Sequence, residues 1–478
     1  MRRHPLVIEF HAAHLLSRIA GLGKRLAASG FDAVWLMGVW ERSPAGRRKA
    51  VEEPSLQRRY AQLLPKWSEA DIAGSPYAIH DYRPDASFGG EQALAECRKG
   101  LKKNGLDLIV DFVPNHLAID HPWTSLHPER FIELTAAQRE KHPEWGFRTE
   151  AGRWLAHGRD PYFAPWTDTA QLNALSPQTR AAMIEELLRI AGWADGVRCD
   201  MAMLCLNRIF AQTWRDVLPP GPLPQTEFWQ DVIAAVRREY PNFIFIAEAY
   251  WDLEWELQQI GFDFTYDKIL YDRLRNAGAE QVRAHLLADK DYQEKSVRFI
   301  ENHDEPRAVA AFGKERSLAA AAVAATLPGM RFFHDGQMEG YTQHVPVQLG
   351  RAIKEAADPA VQAFYARLLP VASDAVLHEG VWTLLQPSPA WEGNVAHREL
   401  LAWSWRKADQ WVLVVVNYSG AEAQGRIPLP IPDQAQPAIT LKDRLQGSAY
   451  ARDSREMRSP GLYVSLPPWG VHLFSFTA

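Results

Sequence analysis

The chain has 478 residues, 47% hydrophobic and 23% charged, enough to bury a large core and to form more than one domain. Its 53 Lys and Arg against 58 Asp and Glu give a formal net charge of -5, and no basic run interleaves with aromatics, which argues against nucleic acid as a partner. No stretch reaches the roughly 18 uncharged apolar residues of a membrane span. The three cysteines, Cys97, Cys199 and Cys205, lack metal-like spacing and suit free thiols in the cytoplasm.

The N-terminal stretch MRRHPLVIEFHAAHLLSRIAG starts basic, but Glu9, His11 and His14 interrupt it before any cleavage site, so no signal peptide is expected. Short apolar runs then recur in chain order: LVIEF, DAVWLMGV (32–39), LDLIVDFV (106–113), GVRCD (196–200), FIFIAEAY (243–250), FDFTYD (262–267), VRFIEN (297–302) and MRFFHD (330–335). Amphipathic stretches such as EQALAECRKGLKKNG and SPQTRAAMIEELLRIAGWA separate them. Alternating strand and helix implies parallel pairing, and eight units fit a (β/α)8 TIM barrel, with an open doubly wound sheet as the alternative. The barrel is expected over 1–113 and 168–375. Residues 114–167, rich in His, Pro and Trp, form a small excursion at its mouth, far longer than an ordinary βα loop. From 376 to 478 short alternating strands with Gly, Pro and Asn between them predict a C-terminal all-β sandwich domain.

Barrel active sites gather at the C-terminal ends of the strands. Those ends carry Asp111, Asn115 and His116, then Arg198 and Asp200, then Glu248, then Asn302, His303 and Asp304. Singly, each has a bland reading. Arg198 and Asp200, at i and i+2 on one strand face, make a structural ion pair; Asp111 braces Arg198; His116 is a satisfied core histidine; Glu248 is a strand-end surface carboxylate. Together they concentrate charge that usually survives burial only at a functional site. Trp40 and Trp251 stand at strand ends on the mouth side, and Trp123, Trp145, Trp154 and Trp166 lie in the excursion. Trp403, Trp405 and Trp469 read as packing.

The stretches DFVPNH, GVRCDMA, FIAEAYW and FIENHD, in that order, resemble the four conserved regions of the α-amylase superfamily, glycoside hydrolase family 13. TAQLN resembles the family's fifth region, and SPYAIHDYRPDASFGG its segment after the second strand. The resemblance implies a retaining enzyme acting on α-linked oligosaccharides or glucans, hydrolysing them or, alternatively, transferring glucosyl units. It assigns Asp200 as nucleophile, Glu248 as general acid and base, and Asp304 as a third carboxylate that helps distort the sugar. It gives Tyr77, His116 and His303 to sugar binding, has Trp40 and Trp251 stacking on the sugar, and leaves Trp123, Trp145, Trp154 and Trp166 equally suited to sugar contact or to the excursion's own core. HDGQMEG resembles the family's closing region, which implies that Gln337 lines the mouth. The resemblance also sets Arg198 beside Asp200, where its charge is expected to lower the nucleophile's pKa and keep it ionised. A catalytically inactive interaction protein is the remaining alternative, disfavoured because all three carboxylates are present. Ala78 stands where exo-acting members often carry an aspartate. No cofactor is expected: Asn115 matches a frequent calcium ligand, but IEFHAAHLL runs directly into helix without the acid-rich calcium loop of some members.

Overall fold

The eight apolar runs close into one ring. In the computed structural model, which describes residues 1–15 and 19–478, the strands are β1 (Leu6–His11), β2 (Ala33–Met37), β3 (Asp107–Phe112), β4 (Gly196–Cys199), β5 (Ile244–Ala247), β6 (Phe264–Tyr266), β7 (Ser296–Arg298) and β8 (Met330–His334). They pair in parallel in chain order, and β8 closes on β1. This is the expected TIM barrel and not the open sheet. The run from β1 into helix holds over Ala12–Leu15; its last residue, Leu16, lies outside the described residues. Among the described residues no helix is long and apolar enough to cross a membrane, and all three cysteines are free and buried.

The two-residue period of a strand decides what enters the barrel. Leu6, Ile8, Phe10, Val34, Leu36, Leu108, Val110 and Val197 face outward into the helix-covered core, whereas Val7, Ala33, Trp35, Ile109, Ile244, Ile246, Val297 and Met330 pack inside. Register then sets polar groups in a layer above that apolar plug: Glu9 stands opposite Trp35, and Arg198 stands between Asp111 and Ile246. Asp200 and Glu248 occupy the next inward positions, just beyond the ends of β4 and β5. Gly196 keeps the plug narrow, since a Cβ there would lie 2.7 Å from the Ile244 carbonyl oxygen.

Helices cover the ring from outside. The longest, Pro177–Trp193, starts where the SP pair predicts, with Ser176 as cap accepting from the Thr179 N–H and proline in its first turn. Within the excursion His116–Ala118 pairs antiparallel with Thr169–Gln171, and Gly146–Arg148 with Trp154–Ala156, so its sheet extends past residue 167.

The C-terminal strands are β9 (Val381–Leu385), β10 (Leu400–Lys407), β11 (Gln410–Asn417), β12 (Ala423–Ile427), β13 (Ala438–Asp443), β14 (Ala449–Asp453), β15 (Leu462–Leu466) and β16 (Val471–Thr477). Six form one sheet in the order β9-β10-β11-β16-β13-β14, and β12 pairs with β15 apart from it. Period two works again. Leu401, Trp403, Trp405, Val412 and Val414 face the barrel's core, while Leu400, Ala402, Leu413 and Val415 face a second core within the domain. Trp403 and Trp405 are fully buried packing residues, and the Trp405 indole donates to the Thr326 carbonyl at 2.7 Å, fixing the sheet to the end of the Lys314–Thr326 helix.

Candidate active site

One guanidinium organises the barrel mouth. Arg198 is 1% exposed; its Nη1 lies 2.6 Å from Asp200 Oδ1 and 3.8 Å from Asp111 Oδ1, and its Nη2 lies 2.9 Å from Glu248 Oε2. The rings of Trp35, Tyr77 and Tyr266 surround it at 5.3 to 5.7 Å. The Arg198–Asp200 pair is thus part of a larger constellation, in which Asp111 Oδ1 faces the guanidinium without a hydrogen bond to it. Its Oδ2 is fixed by the Gly38 N–H.

Three carboxylates on one cation leave negative charge in excess. Burial pushes Glu248 up to about 7, more than Arg198 draws it back, and Asp200 and Asp304 add to the rise. Burial likewise lifts Asp111 to about 7. Asp200 is also raised, burial outweighing its bond to Arg198, so the expectation that Arg198 sets it below the ordinary range is corrected: the guanidinium limits the rise without reversing it.

Glu248 is only 3% exposed, not a surface carboxylate. The Tyr250 hydroxyl donates to Oε1 at 2.8 Å and the Met201 N–H to Oε2 at 2.6 Å. The backbone around it is bent: Met201, Trp251 and Asp252 hold φ of +43°, +65° and +61°. That turn sets Trp251 at the mouth, edge-on to Tyr162 with centroids 5.1 Å apart. Tyr162 and Phe163, 69% and 74% exposed, extend this aromatic rim. The sequence reading passes over both; the PYF triplet inside the excursion was their only signal.

Across the mouth, His303 stacks on Tyr77, whose hydroxyl lies 2.7 Å from Nε2, and the same nitrogen is 3.0 Å from Asp304 Oδ2. Its Nδ1 is 2.6 Å from Glu9 Oε1, a residue the sequence offers only as a break in an apolar run. Asp304 is the open carboxylate, with half its side chain solvent-exposed. What burial it has raises its carboxyl, and the charge of His303 overrides this, bringing it to about 2.

Trp40 and Gln337 lie away from the mouth. Trp40 does not reach sugar: it is 1% exposed, packs on Tyr82 and Trp193, and donates its indole N–H to the Asp111 carbonyl at 2.7 Å. Gly38, at φ +76°, turns the chain after β2 and ends the inward register before Trp40 is reached. Gln337 does not line the mouth, since its amide bridges the His334 N–H and the Tyr365 hydroxyl. His116 is buried beside Trp166, and desolvation lowers it to about 3, so it is a neutral imidazole. Trp123, Trp145 and Trp154 carry Arg130, Arg159 and Arg139 on their faces, which makes them the excursion's own packing.

The residues do not fit calcium. Gln171 Nε2 donates to Asn115 O at 2.8 Å, to Asn115 Oδ1 at 3.0 Å and to Leu172 O at 3.0 Å, while its Oε1 accepts from the Arg159 N–H. Backbone partners on both sides fix the amide's orientation. An N–H donor therefore stands among oxygens that a cation would need for itself. Among the described residues no group of three or more His, Cys, Asp or Glu is placed to hold a metal.

Comparison with known proteins identifies the family. Residues 24–423 match the family described as alpha amylase, catalytic domain. The chain is 27% identical over 316 residues to alpha-amylase MalA of Haloarcula japonica, covering 64% of this chain and 42% of that protein. It is 26% identical over 326 residues to the alpha-1,4-glucan:maltose-1-phosphate maltosyltransferase of Rhodospirillum rubrum, covering 65% and 40%. It thus spans about two fifths of the length of these curated relatives. Among solved structures, the maltogenic alpha-amylase AmyB of Thermotoga neapolitana shares the fold, with a TM-score of 0.70 at 18% identity over 100% of this chain and 99% of that one. With the family match running through the barrel and into the C-terminal sheet, the chain belongs to the α-amylase family.

Proposed function

We propose that the chain is a retaining enzyme that hydrolyses α-glucosidic bonds of oligosaccharides or glucans by double displacement. The observation that carries this is Arg198, whose Nη1 bonds Asp200 and whose Nη2 lies 2.9 Å from Glu248, so that one guanidinium faces both carboxyls from the ends of adjacent strands. Asp200 is oriented through Oδ1, leaving Oδ2 as the oxygen that attacks the anomeric carbon. Glu248, raised to about 7, is protonated at the start and gives its proton to the departing glycosidic oxygen. In the second half the resulting carboxylate takes a proton from water, which opens the glycosyl-Asp200 ester from the opposite face and restores both groups. Asp304, ionised at any working pH, accepts hydroxyls of the same ring.

The exposed Tyr162 and Phe163, beside the half-buried Trp251, favour a second reading, transfer to a sugar, because aromatic faces hold an acceptor where water would otherwise enter. Incubation with maltooligosaccharides, maltose, sucrose, trehalose and isomaltose, followed by chromatography over time, tests both. Hydrolysis yields shorter products only; transfer also yields early products longer than the substrate. Absence of turnover on every α-glucoside contradicts the proposal.

A further inference from the structure

Glu9 sits within β1, 0% exposed, on the inward register of Val7. A carboxylate there is costly unless paired. Its partner is His303, with Oε1 2.6 Å from Nδ1, and the opposite nitrogen faces Asp304 Oδ2 at 3.0 Å and the Tyr77 hydroxyl at 2.7 Å. An ionised carboxylate only accepts, and a neutral imidazole has one N–H. With a carboxylate against each nitrogen, only the imidazolium satisfies both.

We propose that Glu9 is a positioning residue: it clamps His303 as a cation against Asp304, and so fixes the Nε2–H that holds Asp304 and Tyr77 in place for the sugar. The inference deepens the α-glucoside reading and rests on it for the identity of that ligand. A purely structural pair would end at the imidazole. Here the second nitrogen is spent on two mouth residues, one of them half open to solvent.

His303 faces Glu9 from β1, Trp35 from β2, Asp111 from β3, Arg198 and Asp200 from β4 and its end, Tyr77, and its own neighbour Asp304. His344 bonds its backbone carbonyl at 2.8 Å, and His334 lies near Glu9. Burial and the nearby charge of Arg198 oppose a further cation. The two carboxylates in direct contact outweigh them, and the imidazole is held well above its ordinary range. Reciprocally, burial raises the Glu9 carboxyl but the charge on His303 brings it below the usual carboxylate range.

The test is two-dimensional 15N–1H spectroscopy of the full chain labelled at histidine, from pH 5 to 9, with His303 assigned by the signal missing in His303→Gln. In the wild type both ring nitrogens should keep imidazolium shifts through pH 9. In Glu9→Gln, His303 should titrate within that range, and kcat/KM on a maltooligosaccharide should fall by about 10- to 100-fold at pH 8, less at pH 5.5 where His303 is still charged. A wild-type His303 titrating near the ordinary value of about 6.5, or unaltered His303 protonation in Glu9→Gln, overturns the proposal. If Glu9→Gln does not fold, the wild-type spectrum alone decides. The spectrum needs no substrate, so a chain inactive on all α-glucosides would refute the function and leave the clamp readable.

Discussion

Asp200→Asn should lower kcat by about 10⁴-fold or more while shifting the melting temperature by no more than about 2–4 °C. The amide is nearly isosteric, and its oxygen still accepts from Arg198 Nη1, which now lies 2.6 Å from Oδ1. What it lacks is a lone-pair-bearing anion able to form the ester with the anomeric carbon. Stability is expected to hold because burial already works against the Asp200 charge. Steady-state rates together with a melting curve check this, and a variant with near-normal turnover would remove Asp200 from the nucleophile's place.

Arg198→Met should have the larger effect on stability. The side chain is of similar reach and apolar, but its removal leaves Asp200, Glu248 and Asp111 clustered without the cation that all three face. Breaking a buried pair by removing one partner costs about 3–5 kcal/mol. The loss must depend on pH. Burial already raises the carboxyls of Glu248 and Asp111 to about 7, and without Arg198 they rise further. A carboxyl raised in the folded state binds more protons folded than unfolded, so its contribution is intact below the unfolded value near 4 and is lost as pH rises through the folded one. Chemical denaturation should therefore find the variant close to wild type at pH 5 and weakest at pH 8. A penalty that shrinks between pH 5 and 8 would contradict this account of the cluster.

Much of this arrangement is legible in sequence because two simple periodicities produce it. The strand period places Gly196, Arg198 and Asp200 on one face, and the alternation of strand and helix leads to a ring whose mouth collects the strand ends. What sequence leaves out follows from breaks in those periodicities. Trp40 counts as a mouth residue only if the register of β2 continues, and the positive φ of Gly38 ends it. Gln337 lies on a turn that folds back onto Tyr365 of the Pro359–Ala372 helix, a contact no local pattern records. Glu9 is legible only as an interruption, since its partner is 294 residues away. The direction of the Asp200 shift was hidden for another reason. A neighbouring arginine can be read from spacing, but desolvation depends on how completely the ring closes over the pair.

If Asp200 and Glu248 act across one sugar, the reaction proceeds by two successive inversions and keeps the anomeric configuration. Proton NMR of the reducing sugar released in the first minutes, before mutarotation, tests it most directly. The α-anomer signal should appear first, and the β-anomer should grow in afterwards at the spontaneous rate. Initial appearance of the β-anomer would mean direct attack by water, and would contradict the assignment of Asp200 as nucleophile.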